Sequence, residues 1–239
     1  MISIAKKVCY NGVEVVRCMK NHLKAKDYRK IFFLYGLVYA TIPIIIVEIL
    51  WDCFVPAIFF LDGLFRELIE SFFRAALIEE FFKFYGFMKA SKAYHFSNER
   101  EFMVGAGMIG LAYAVIEKIA TGSVLAIFLS IIFPMHILWQ MNQGRHFYQY
   151  QKARDEGDNK KAKREFFLAT FAIFLMHGCW DASISLVQFF SEPSVFEAAD
   201  IIGGILLILI LLWGVFYLVF SIIKIRKVLK ANPLPRNQE

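Results

Sequence analysis

Cysteine and the common metal-binding motifs are scarce in this sequence. Four cysteines occur among 239 residues, and no two of them form a CxxC pair. Their scarcity argues against a disulfide framework and against a zinc ribbon. The HExxH motif, in which two histidines one helical turn apart bind zinc, is absent. We also find no internal repeat, which counts against the inverted-repeat architecture of many secondary transporters.

Charge is also limited, whereas apolar residues dominate the composition. Charged residues make up 20% of the chain, hydrophobic residues make up 58%, and phenylalanine alone occurs 26 times. A soluble domain of this size could not bury so much apolar surface, so the chain needs lipid as its solvent. Because unpaired backbone groups are costly in lipid and the alternating pattern of barrel strands is absent, helices must span the membrane. The sequence therefore predicts an all-α, polytopic transmembrane bundle.

Six apolar stretches predict about six spanning helices, which together form a transmembrane bundle over residues 31–223. Each stretch approaches or exceeds the roughly 20 residues that a helix needs to cross a hydrocarbon core. A shorter stretch at 54–68, interrupted by Asp62-Gly63, predicts a re-entrant or interfacial segment. The predicted spans are 31–50, 72–88, 102–119, 124–141, 166–189 and 201–223.

The positive charges lie in alternate loops. Of the 27 lysines and arginines, 23 fall before the first span, between spans two and three, between spans four and five, or after the sixth. The positive-inside rule then places both termini in the cytoplasm, as a basic segment at 1–30 and a basic tail at 224–239. We therefore attribute the net charge of +6 to membrane orientation and expect no nucleic-acid partner. We expect a multi-pass protein of the cell membrane whose surroundings are the lipid bilayer.

Ionisable residues also occur inside the predicted spans, where each costs from about 2.5 kcal/mol upward unless it is paired or hydrated. At about 1.5 Å per helical residue, those on four different spans lie in one band of the outer half of the membrane. Scattered structural charges would not need to share a depth, so we infer one polar cavity that opens to the outer side. Its candidate catalytic residues are Glu79, Glu80, Lys83, Glu117, His136, His177 and Asp181.

The spacing of these residues along each helix has its own chemical meaning. Glu79 and Lys83 are four residues apart and Glu80 and Lys83 are three apart, so all three share a helix face. An ammonium between two carboxylates keeps one of them ionised despite burial, as a general base requires. Asp181 lies one turn beyond His177, where a carboxylate fixes the tautomer of an imidazole. A purely structural ion cluster and a packed histidine are the alternative interpretations.

Three motifs resemble those of a known family, the PrsW-type intramembrane proteases, which are related to the CAAX prenyl protease and bacteriocin-processing group. Glu79-Glu80-Phe-Phe-Lys83 resembles the EExxK motif, Tyr113-Ala-Val-Ile-Glu117 resembles FxxxE, and His177-Gly-Cys-Trp-Asp181 resembles HxxxD. His136 stands where the family has a further intramembrane histidine. The flanks of the motifs differ, since Tyr113 replaces the usual Phe, Lys118 stands where Asn often follows, and Gln140 stands where Thr is frequent.

The resemblance implies an endopeptidase that hydrolyses a peptide bond of a membrane-anchored substrate near the outer membrane boundary. It implies as substrate a single-span protein of the kind that restrains sigma factors in stress signalling. In the favoured form Glu79 or Glu80 activates water, helped by Glu117, and the histidines stabilise the oxyanion, without a cofactor. A zinc-dependent version could use the same residues. An ion-coupled transporter and a catalytically silent membrane scaffold are the alternatives from other functional classes.

Overall fold

Helices form every regular element of the described part of the chain. The computed structural model describes residues 28–58, 66, 68–94, 96, 98–121, 134–191 and 198–231. No strand occurs within these ranges, so the all-α prediction is confirmed. The α-helices are α1 (Tyr28–Tyr35), α2 (Ile42–Ile58), α3 (Ile78–Ala93), α4 (Glu99–Thr121), α5 (Met135–Asp155), α6 (Asn159–Phe167), α7 (Ile173–Ser191) and α8 (Ala198–Ala231).

Three π-helical segments join some of these helices end to end. The segment π1 (Gly36–Thr41) links α1 to α2, π2 (Glu70–Leu77) leads into α3, and π3 (Leu168–Ala172) links α6 to α7. The cause is visible at π1, because Pro43 in α2 has no N–H to donate back along the helix. There the Thr41 hydroxyl donates a hydrogen bond to the Gly36 carbonyl oxygen at 3.1 Å, which gives this carbonyl a partner from a side chain. Proline therefore alters the first helical stretch without ending it.

Helices α4 and α5 pack antiparallel against each other through glycines. A Cβ atom on Gly144 would lie 2.6 Å from the Phe102 carbonyl oxygen, and one on Gly110 would meet the His136 carbonyl oxygen. Small residues permit such backbone approach, which in lipid must replace the hydrophobic drive for helix association. The close approach brings the first turn of α5 beside Gly110 of α4, two turns before Glu117.

An aromatic core fills one end of the bundle. Phe32 of α1, Phe87 of α3, Phe102 of α4 and Phe147 of α5 are buried in one cluster. Phe87 packs edge-to-face against Phe147, with ring centroids 5.8 Å apart. Along α3, α5 and α4 these rings lie roughly 6, 16 and 22 Å from the nearest ionisable residue of the cluster, at 1.5 Å per residue. The core and the polar cluster therefore occupy different depths of the bundle.

Large apolar side chains cover the outside of the bundle. Phe81, Phe171, Trp213 and Phe216 are among many that are exposed, as lipid-facing residues should be. Three helical stretches in the described residues are long and apolar enough to cross a membrane, namely Tyr28–Phe54, Glu99–Ile119 and Asn159–Ile184. The chain is therefore a helical membrane protein, whereas the count of six spans and the side of the termini stay predictions.

The boundaries of several elements differ from those predicted. Most of the span predicted at 124–141 lies outside the described residues, and α5 continues to Asp155. The charged stretch at 144–164, predicted as a solvated loop, forms the second half of α5, a turn at Gly157 and most of α6. Its charges occupy the exposed face while Phe147, Ala153 and Ala162 are buried. Helix α8 likewise extends eight residues beyond the predicted end of the last span at 223. Of the segment predicted at 54–68 as re-entrant or interfacial, the first residues, up to Ile58, form the end of α2.

The glycine contacts between α4 and α5 predict a sharp sensitivity to one added methyl group. Replacing Gly144 with Ala should lower the free energy of unfolding by about 1–3 kcal/mol, because the new Cβ must push the Phe102 carbonyl away. Gly86→Ala is the matched control, since its nearest neighbours would lie at an ordinary 3.4 Å. Thermal unfolding followed by size-exclusion chromatography in detergent compares the two. Equal stability of both variants would show that α4 and α5 do not pack so closely.

Candidate active site

The Lys83 ammonium lies at the centre of the polar cluster. Its Nζ atom donates to Glu79 Oε2 at 2.7 Å and to Glu80 Oε1 at 3.1 Å, and its side chain has no exposed surface. All three residues belong to α3, and the predicted sharing of one helix face brings them together. A buried ammonium is tolerated only when paired and hydrogen-bonded, and here two carboxylates supply that pairing.

His177 of α7 lies between three carboxylates. Its Nδ1 is 2.8 Å from Glu80 Oε1, and its Nε2 is 3.1 Å from Asp181 Oδ2 and 3.8 Å from Glu79 Oε2. Because both ring nitrogens face acceptors, both contacts can be hydrogen bonds only when the imidazole carries two protons. The Asp181 contact was expected from the spacing along the helix, whereas the Glu80 contact joins residues that are 97 positions apart.

His136, at the start of α5, connects Lys83 to Glu117. Its Nδ1 accepts from Lys83 Nζ at 3.1 Å, and its Nε2 lies 3.1 Å from Glu117 Oε2. An imidazole that accepts at Nδ1 carries its proton on Nε2, toward the carboxylate. Glu117 is also paired with the neighbouring Lys118 at 2.8 Å. Four helices, α3, α4, α5 and α7, thus contribute to one connected network.

Exposure increases from one side of the cluster to the other. The side chains of Lys83 and His177 are 0% and 2% exposed, whereas Glu117 and Asp181 are 27% and 26% exposed. Glu117 lies near the last turn of α4, and Asp181 lies one turn beyond His177 in α7. By the predicted topology both are toward the outer side of the membrane. These two carboxylates therefore mark the more accessible side of the cluster.

The charges of the cluster do not balance. Lys118 neutralises Glu117 at 2.8 Å, which leaves Glu79, Glu80 and Asp181 against Lys83 and a doubly protonated His177. His136 is neutral in this arrangement because its Nδ1 accepts the Lys83 hydrogen bond. One negative charge is thus in excess. One carboxylate of the cluster is therefore left without a cation of its own and can take a proton from water, as a general base does.

Aromatic and amide side chains complete the site, and the sequence did not identify them as part of it. The ring of Tyr113 lies 4.1 Å from Lys83 Nζ, within range of a cation–π contact, and Trp139 packs against His177 with centroids 4.7 Å apart. Gln140 Nε2 donates to Glu80 Oε2 at 2.6 Å. A signal existed for two of them, since Tyr113 opens the FxxxE-like motif and Gln140 is a polar residue one turn after His136 within an apolar stretch.

Three residues of the cluster could hold a metal ion. Glu79, His136 and His177 each offer one donor atom, and these atoms lie within 4.8 Å of one another. One carboxylate with two imidazoles is a donor set of catalytic zinc sites. The second nitrogen of each imidazole faces a carboxylate, Glu117 or Glu80, as is usual for metal-binding histidines.

The position of Lys83 limits this fit. Its ammonium contacts two of the three donors, Glu79 at 2.7 Å and His136 at 3.1 Å. Two positive charges repel strongly at such distances in a poorly solvated site. A divalent cation would therefore bind only after Lys83 moved away from both. The donor types fit a metal ion, and the network around Lys83 competes with it.

Carboxylates, imidazoles and an ammonium that meet within a helical membrane bundle are the groups expected of an intramembrane hydrolase. The comparisons with known proteins specify the family. The profile described as "PrsW family intramembrane metalloprotease" matches residues 26–203, and the chain belongs to this family. This confirms the resemblance seen in the motifs.

One curated relative supports the same assignment. Protease PrsW of Oceanobacillus iheyensis is 34% identical over 119 residues, which cover 47% of this chain and 53% of that protein. The matched region thus spans about half the length of the relative. No solved structure matches the chain.

Removal of Lys83 should destabilise the protein far more than removal of Lys118. Lys83→Met leaves Glu79 and Glu80 buried without their shared cation, which should cost about 3–5 kcal/mol of unfolding free energy. Lys118→Met removes a partly exposed pair with Glu117 and should cost less than about 1 kcal/mol. Thermal unfolding of both variants in the same detergent measures the difference. Similar losses in both would mean that Lys83 is not a buried ion-pair centre.

Proposed function

We propose that this protein is an intramembrane endopeptidase that hydrolyses a peptide bond of a membrane-anchored substrate. The observation that carries this proposal is the Glu79 carboxylate, which faces both His136 and His177 in a cluster that is open on one side. Membership of an intramembrane protease family supports the class of reaction. A multi-pass position in the cell membrane follows from the predicted spans.

The contacts support different roles for the two adjacent glutamates. Glu80 accepts hydrogen bonds on both oxygens, from Lys83 and His177 on Oε1 and from Gln140 on Oε2. A carboxylate held by three donors has little capacity left for a water proton. Glu79 has the ammonium on Oε2 and the two imidazoles nearby. We therefore assign Glu79 as the general base and Glu80 as a positioning residue.

The reaction then follows from the positions of the side chains. Glu79 takes a proton from water, and the resulting hydroxide attacks the carbonyl carbon of the scissile bond. The doubly protonated His177, held at Nδ1 by Glu80, turns its Nε2–H from Asp181 to the developing oxyanion and donates a hydrogen bond to it. The proton on Glu79 passes to the amide nitrogen as the carbon–nitrogen bond breaks. Glu117 orients His136 through Nε2, and the Nδ1 atom of His136 contacts Lys83.

A metal-dependent version of this hydrolysis is the second candidate. The family description names a metalloprotease, and Glu79, His136 and His177 would hold the ion. A bound zinc ion would supply Lewis-acid activation of water. We favour the metal-free form because Lys83 already provides a positive charge against Glu79 and His136.

The location of the site suggests a class of substrate. Its more exposed residues, Glu117 and Asp181, lie toward the outer side in the predicted topology. A single-span protein could present an unwound segment there, near its outer membrane boundary. We propose an anti-sigma-factor-like regulator as substrate, as the family resemblance implies.

Cleavage assays with single substitutions test the proposal. Glu79→Gln and His177→Ala should each lower cleavage of a co-expressed, membrane-anchored reporter at least about 100-fold, since each removes a group that acts in the transition state. His146→Ala is the matched control, because His146 also pairs with a buried carboxylate but lies outside the cluster. Its Nδ1 is 2.7 Å from Oε2 of Glu165 on α6. Immunoblots of the membrane fraction normalise the amount of each protein.

The outcomes separate the rival functions. A catalytically silent scaffold would produce no cleavage with the unsubstituted protein, and its function would survive both active-site substitutions. An ion-coupled transporter would move protons or cations into vesicles without cutting any reporter. Retained cleavage by Glu79→Gln would contradict the role of Glu79 while leaving the protease assignment intact.

Metal removal tests the choice between the two forms of hydrolysis. We expect the purified enzyme to keep its activity after dialysis against a strong chelator, with far less than one zinc per chain by elemental analysis. The expectation follows from the contacts of Lys83 with Glu79 and His136. One zinc per chain, lost together with activity on dialysis and absent from His136→Ala, would establish the metal-dependent form instead.

A further inference from the structure

Gln140 is an uncharged polar side chain that donates a hydrogen bond to a carboxylate of the cluster. It lies on α5 one turn after His136 and is 0% exposed. Its Nε2 donates to Glu80 Oε2 at 2.6 Å, across 60 positions of sequence. Hydrogen bonds to an ionised acceptor are stronger than those between neutral groups. This contact therefore ties α5 to α3 at the oxygen of Glu80 that Lys83 and His177 do not use.

The orientation of the amide is fixed by the charge that it faces. Turning the side chain over would point the Oε1 lone pairs at a carboxylate oxygen, so only the NH₂ end can face Glu80. Gln140 Oε1 then has no hydrogen-bond partner among the described residues. A buried carbonyl left unpaired costs about 1–3 kcal/mol. The hydrogen bond from the NH₂ group to Glu80 must offset this cost.

The hydrogen bond also decides which Glu80 oxygen meets His177. With Oε2 held by Gln140, only Oε1 is left to accept from Lys83 Nζ at 3.1 Å and from His177 Nδ1 at 2.8 Å. His177 Nδ1 is thereby kept as a donor toward Glu80, and Nε2 points to Asp181 and Glu79. Without the amide, the Glu80 carboxylate could rotate and both contacts on Oε1 would loosen.

We propose that Gln140 is a positioning residue that acts through Glu80 to fix the ring orientation and the Nδ1 proton of His177. The proposal rests on the proposed function, in which His177 stabilises the oxyanion. Gln140 does not touch the reacting atoms, so its loss slows the chemical step and leaves substrate binding unchanged. Substitutions of such supporting residues at metal-binding histidines typically cost 10–100-fold, and we expect a loss of that size in kcat with KM within twofold.

The chain contains a matched control for this test. Gln143 lies on the same helix, is 1% exposed and likewise has an unpaired Oε1 among the described residues. Gln140→Met and Gln143→Met therefore make the same chemical change at similar burial. We expect kcat to fall only in Gln140→Met, measured on a purified membrane-anchored reporter in detergent. Equal kcat in the two variants, or a loss confined to KM, would overturn the proposal.

A spectroscopic measurement keeps the test independent of catalysis. In protein labelled with ¹⁵N-histidine, the His177 Nδ1–H signal is assigned by its disappearance in His177→Ala. We expect that signal to shift or to exchange rapidly with solvent in Gln140→Met and to remain unchanged in Gln143→Met. An unchanged signal in Gln140→Met would overturn the positioning role, even if the unsubstituted protein cleaved no reporter and the proposed function failed.

A second variant addresses the case in which Gln140→Met does not fold. Gln140→Asn keeps the polar amide but is one methylene shorter, so its NH₂ group no longer reaches Glu80 Oε2. If a polar amide at this position served only the fold, Gln140→Asn would keep both kcat and the His177 signal. We expect it to lose both, and retention of both would overturn the proposal.

Discussion

The ammonium of Lys83 is the group on which the arrangement of the bundle depends. It has no exposed surface, and an unpaired charge at this depth would be too costly to bury. Its partners therefore have to come from within the bundle. Glu79 and Glu80 supply two of them from the same helix, and His136 supplies a third from α5. The face of α3 that carries Lys83 must point inward, which in turn leaves Phe81 directed at lipid.

Close helix packing makes these polar contacts possible. Side chains from different helices meet at hydrogen-bond distance only if the helix backbones approach closely. Gly110 lets α4 approach the first turn of α5, and Gly178 of α7 lies against the ring of Phe72 in π2. The two glycines are adjacent to the sites where His136 meets Glu117 and where His177 meets Glu80. In lipid the polar network and the small residues therefore stabilise each other.

Local features of the site could be predicted from the sequence, whereas its connections between helices could not. The shared face of Glu79 and Lys83 and the His177–Asp181 contact follow from helical spacing alone. The contacts of Glu80 with His177 and Gln140 depend on how α3, α5 and α7 rotate against one another, which no local pattern contains. Gln140 was missed as a site residue because a neutral amide carries no charge to mark it. The length of α5 was missed because its charged exposed face masks the buried positions of Phe147 and Ala153.

The aromatic core at the other end of the bundle has a consequence for the energetics of the cell. A water-filled cavity inside a membrane shortens the path along which protons could leak down their gradient. Here the rings of Phe87, Phe102 and Phe147 close that path, because they offer neither donors nor acceptors from which a chain of hydrogen-bonded water could form. Water that reached the polar cluster would therefore find no hydrogen-bond partners among these rings through which a proton could pass further.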